Sequence, residues 1–113
     1  MTALDAIRWV DEKKHNVFCL EDKLLWLGQL EKMVAELHMR CGLECTPVSL
    51  APETVLTASE DALYFRWLEA QIDYCNQEYL KCNNAMSLFT ALWQDYANSL
   101  RRSALGAGRR NFF

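Results

Sequence analysis

Apolar residues recur at three- and four-residue intervals along most of this chain, and the interruptions between those runs divide it into helices. Leu4, Ile7 and Val10 form a first stripe, with Trp9 beside it. Thr2 followed by Asp5 has the form of a capping box, so a short helix is expected from there to about Lys14. His15 and Asn16 then interrupt the pattern. A second helix is expected from about Glu21 to Arg40, because Trp26, Leu27, Leu30, Met33, Val34 and Leu37 share one wide face. Glu21 and Asp22 suit the positive end of its dipole. Gly28 lies inside that helix at some cost in propensity, and a close helix crossing is the expected reason.

Residues 41–58, with Gly42, Pro47 and Pro52, form the one long break. Loops of this length in small domains tend to be functional or mobile. Val48, Leu50, Val55 and Leu56 make it apolar, so it either lies over the core or contacts a partner. Thr57 and Glu60 form a second capping pair, with Ser59 as an alternative N-cap. After them Phe65, Leu68, Ile72, Cys75, Tyr79, Cys82, Met86, Phe89, Trp93, Tyr96 and Leu100 step by 3 and 4 without a fault. As one helix this run would be about 54 Å long, whereas a compact domain of this size is only about 34 Å across. A turn at Asn83-Asn84 resolves the conflict, since Asn serves both as C-cap and as N-cap. The regular phase favours the alternative, one unbroken helix that neighbouring subunits would have to cover.

The 113 residues are 51% hydrophobic and 24% charged, with four Gly and two Pro, which excludes disorder and fibrous folds. The expected fold is all-α: a bundle of about four helices in residues 1–102, a long 41–58 loop and an extended C-terminal arm over 103–113. No run of about 18 uncharged residues is present, so no membrane span is expected. The start lacks an apolar leader, and five cysteines cannot all pair within one chain, so a reduced, cytosolic protein is expected.

Charge is unevenly placed. The formal net charge is -3, yet Arg101, Arg102, Arg109 and Arg110 fall in the last 13 residues with no acid among them. Residues 1–100 hold 8 basic and 15 acidic side chains, a balance of -7 against +4 in the tail. An acidic body is a poor ligand for phosphates, so a solvated or protein-docking arm is expected.

Little in the sequence promises catalysis. His38, Cys41 and Cys45 lie close together, but a structural zinc site needs four ligands and the fourth would come from far away. Cys75 and Cys82 sit on the periodic seam, where free cysteine behaves as a small hydrophobe. Cys19 has only His15 as a nearby basic partner, too little for a reactive thiolate. A di-metal centre asks for two inward-facing Glu-x-x-His motifs, and the chain does not hold two. Glu69 and Asp73 are i, i+4 neighbours off the seam, which suggests a solvated or subunit-facing edge. There is no phosphate loop and no Ser-His-Asp set, so no enzyme, metal or cofactor is expected. Aromatic residues remain: four Trp, four Tyr and five Phe. Tyr64, Trp67 and Tyr74 lie off the stripe, and Phe112 and Phe113 end the chain. A wide core or a subunit interface would account for them.

Leu63 to Arg102 resembles a family of small proteins from tailed-bacteriophage structural operons. The matching residues are Leu68, Glu69, Ala70, Gln71, Ile72, Asp73 and Tyr74, then Asn83, Asn84, Met86, Leu88 and Phe89. Ala3-Leu4-Asp5 and Lys23-Leu24-x-Trp26-Leu27 agree more loosely. The family is that of the head–tail connector (adaptor, or head-completion) proteins, and the five cysteines and the Leu105-to-Phe113 tail depart from it. The resemblance implies a non-enzymatic, all-helical virion protein, assembled in the host bacterial cytoplasm as a homo-oligomeric ring. Such a ring would bind the portal above and a stopper or tail protein below, and pass DNA through its lumen without specific contact. Arg101, Arg102, Arg109, Arg110, Phe112 and Phe113 would form an arm that orders against the portal. Tyr64, Trp67, Glu69, Asp73 and Tyr74 would lie in the core or between subunits. Two other functions compete: a small bacterial helical adaptor or regulator acting as a dimer, and a metal or redox enzyme using His38, Cys41 and Cys45.

Overall fold

A computed structural model describes residues 1–42 and 50–112, with side chains through Ser103. Among the described residues the chain forms four α-helices and no strand: α1 (Ala3–Lys13), α2 (Leu20–Arg40), α3 (Asp61–Cys75) and α4 (Tyr79–Phe112). The all-α bundle read from the periodicity is therefore the fold.

The expected cap opens α1. The Asp5 amide donates to Thr2 Oγ1, and the Thr2 amide donates back to Asp5 Oδ2, each at 3.2 Å. The Thr2 amide, followed by its hydroxyl, holds the Asp5 carboxyl below the usual carboxylate range. Ala3, Ala6, Ile7 and Val10 are buried, and Leu4 is only half-buried at the edge of the stripe. From α2, Leu27, Leu30 and Val34 enter the same core, with Trp26 and Met33 packed at its margin. Gly28 does not mark a helix crossing, because a Cβ there would meet nothing within 4 Å.

The expected Thr57–Glu60 cap does not form. Glu60 occupies the N-cap of α3 without a side-chain bond, and Thr57 Oγ1 instead donates to Glu31 Oε2 at 2.8 Å. That bond draws the end of the loop against α2, where the Ala58 amide donates to Tyr64 Oη at 2.8 Å. Residues 51–58 also clasp the N-terminus: the Ala3 amide donates to the Thr54 carbonyl and the Leu56 amide to the Met1 carbonyl. Leu56 and Ala58 are buried, so this part of the long break covers the core. Pro47, Val48 and Cys45 lie outside the described residues.

The turn in the long periodic run lies at Asn76–Glu78, not at Asn83-Asn84. The Gln77 amide donates to the Tyr74 carbonyl and the Glu78 amide to the Asp73 carbonyl. Gln77 has φ 62. This pair of bonds closed by a left-handed residue is a Schellman motif, which ends α3 by satisfying its last carbonyls. Asn83 and Asn84 are exposed in the second turn of α4. The seam thus consists of two antiparallel helices facing each other, and α3 packs more extensively on α4 than on α1 or α2. Cys75 and Tyr79 flank the turn and are exposed, and Cys82 is half-buried, so neither seam cysteine is a core residue. The 34 residues of α4 run about 51 Å and account for the long axis of a molecule measuring 55 × 29 × 18 Å. Its backbone continues helical through 103–112, so the described part of the arm extends the helix.

Candidate interaction surface

The five residues singled out around α3 take different roles. Tyr64 is fully buried and donates to Glu31 Oε1 while accepting from the Ala58 amide. Burial, and then the bond to Glu31, push its phenol well above the usual tyrosine value. Trp67 packs against the core, and its indole Nε1 donates to the Trp26 carbonyl at 2.7 Å, joining α3 to α2. Asp73 is not on a subunit-facing edge. It is 1% exposed, and Oδ1 accepts from Lys14 Nζ at 2.5 Å. Glu69 is half-buried and paired with Arg66 at 2.8 Å on its own helix. Tyr74 alone of the five faces outward, 61% exposed, with its ring edge-on to Tyr79.

Behind this face stands a second polar group that spacing did not reveal. Asp11 accepts from Lys23 Nζ at 2.8 Å and from Asn16 Nδ2 at 2.9 Å, and Lys23 is buried beneath it. Asn16 Nδ2 also reaches the Lys14 carbonyl, which fixes the short α1–α2 link. Lys14, Lys23 and Glu31 carried no local signal, because each partner lies on another element.

A ladder of rings holds α4 down. Trp67 meets Phe89 at 5.2 Å, Phe89 meets Trp93 at 6.1 Å, and Trp93 meets Tyr96 at 6.3 Å. Tyr96 in turn lies 2.6 Å from His38 Nε2 at the end of α2. Beyond Ala97, which is buried, Leu100 is half-exposed and Arg101, Arg102 and Ser103 are exposed. The arm therefore leaves the body within one turn of the last ring. Arg109, Arg110 and Phe112 lie on the helical backbone but outside the described side chains, and Phe113 lies outside the described residues.

The residues that carry the phage resemblance divide in the same way. Leu68, Ala70, Ile72, Asp73 and Phe89 are buried, and Met86 packs at the margin of the core. Tyr74, Asn83, Asn84 and Leu88 are exposed. Tyr79 and Leu80, the latter 82% exposed, join Tyr74 in leaving apolar side chains exposed beside the turn. On α4 the hydroxyls of Ser87 and Thr90 donate to the Asn83 and Met86 carbonyls four residues back, so they stay committed to their own helix.

Chemically, these features suit contact with other chains. Among the described residues no three His, Cys, Asp or Glu side chains converge to hold a metal, and no helix is long and apolar enough to cross a membrane. His38 is engaged with Tyr96, Cys41 caps α2, and Cys45 lies outside the described residues. Comparison with protein-family models, with curated proteins and with solved structures finds no match to this chain.

Proposed function

We propose that this chain is a non-enzymatic structural protein of a bacteriophage virion, a head–tail connector that forms a ring under the portal. The carrying observation is the likeness of Leu68–Tyr74 and Asn83–Phe89 to that family, on a hairpin that leaves Tyr74, Asn83, Asn84 and Leu88 exposed. An acidic body with a basic helical arm adds support, because a lumen lined by cations would grip the passing genome. In this reading DNA crosses the ring without specific contact, and a stopper or tail protein binds the side away from the portal. The arm, from Arg101 to Phe113, docks against the portal as a protruding segment.

Removal of residues 101–113 tests the arm. The truncated protein is expected to keep the helical signal of residues 1–100, because the last described core contact is Ala97, and to lose capture by a candidate portal. Undiminished capture would remove the arm from the proposal. A stable dimer that ignores the portal would favour a bacterial adaptor instead.

A further inference from the structure

Gly28 sits inside α2, where glycine weakens a helix relative to alanine. A Cβ there would touch nothing within 4 Å, so no described neighbour within the chain requires the glycine. It floors an open groove of about 530 Å³ whose walls are Leu24, Leu25 and Leu50, with Glu21 at one end and Lys32 at the other. Leu25 is 62% exposed, an apolar side chain left to solvent beside an open stretch of backbone.

The helix directions say which segment reaches this groove. Trp26 on α2 meets Trp67, and Glu31 meets Tyr64, so α2 runs antiparallel to α3. α4 is also antiparallel to α3, hence parallel to α2, and the two come together at His38 and Tyr96. From Tyr96 to Phe112 α4 continues for about 24 Å, away from the end of α2 that bears the groove. A copy's own helical arm therefore points away from its own groove, and the arm of another copy is free to enter it. The charges agree: Arg101 and Arg102 are exposed on the arm, and Glu21 and Asp22 are exposed at the groove's N-terminal end.

We propose that the groove along Gly28 receives the projecting α4 end of a second copy, with Arg101 and Arg102 against Glu21 and Asp22. The bare glycine lets another backbone come close. A knob at one end and a socket on the far flank make a heterologous contact, which closes into a ring when the rotation permits. The contact rests on the proposed assembly of copies, and it narrows the portal-binding part of the arm to the tip from Arg109, because Arg101 and Arg102 go to the neighbouring subunit.

Native mass spectrometry of the full chain over a concentration series, alone and with a candidate portal, tests it through charge reversal. Arg101→Glu with Arg102→Glu should weaken association roughly tenfold, and Glu21→Lys with Asp22→Lys should do the same. Combining all four should recover most of the loss, as a direct pairing requires. Gly28→Leu should block assembly while the isolated chain melts no lower than the wild type. Assembly that ignores both reversals, or a combined variant no better than either pair, overturns the contact and leaves the ring proposal standing. A dimer that responds to the reversals supports the contact and overturns the ring. A chain that stays monomeric throughout, with portal included, overturns both.

Discussion

Lys14 and Asp73 lie 59 positions apart in the chain and meet at 2.5 Å, with side-chain exposures of 22% and 2%. The asymmetry between the partners decides what each substitution does. Lys14→Met leaves a buried carboxylate without its cation and should cost about 3 kcal/mol. Asp73→Asn removes the charge at the buried side, while the lysine retains a path to water, and should cost about 1 kcal/mol. Urea midpoints of the two variants check the order, and a larger loss for Asp73→Asn would contradict it. Tyr64 makes a second prediction, about pH. Its folded phenol titrates above the unfolded value of 10.0, because it is buried and bonded to Glu31. The unfolded chain releases this proton first as pH rises, so the contribution is complete below about pH 10 and is lost above it. Tyr64→Phe should cost about 1–3 kcal/mol at neutral pH by leaving Glu31 and the Ala58 amide without their partner. It should also lessen the alkaline loss, which denaturation at about pH 8 and about pH 11 would measure.

At the scale of elements, the hairpin of α3 and α4 turns on Gln77. A left-handed residue that is not glycine carries a cost of roughly 1 kcal/mol, so Gln77→Gly should stabilise the protein by about that much. Asn84→Pro, placed inside α4, should destabilise it by about 3 kcal/mol. If the turn lay at Asn83-Asn84 the proline would be tolerated and the glycine would gain nothing, so thermal melts of both variants separate the two positions. The sequence left this turn open for a physical reason. The three residues Asn76–Glu78 fit within a single four-residue step of the pattern from Cys75 to Tyr79, so a straight helix and a hairpin share one spacing. The usual glycine signal was also absent. By contrast, the Thr2–Asp5 cap and the buried face of α2 were legible, because their partners lie within three or four residues. Thr57 shows the limit of that logic: it has capping chemistry, and Glu31 on another helix takes its hydroxyl. Tyr64 and Asp73 were visible as residues off the stripe, but the residues that bury and pair them are brought near only by folding.

At the scale of the whole molecule, a helix of 34 residues extends past a small core, and the charge separates along it. The body carries a balance of -7 and the last 13 residues carry +4. Exposed Tyr74, Tyr79 and Leu80 flank the turn and Leu88 lies farther along α4, while Leu25 marks the α2 groove. A monomer gains nothing from leaving these apolar side chains in water, whereas an assembly covers them. In the proposed ring, subunit contacts supply the burial that a chain of this size lacks by itself. The most direct test is electron microscopy of a candidate portal co-expressed with this protein. The connector account predicts an added ring of density beneath the portal, present with the full chain and absent when the portal is expressed alone. Portal particles unchanged by co-expression, with this protein recovered separately as a monomer or dimer, would contradict it.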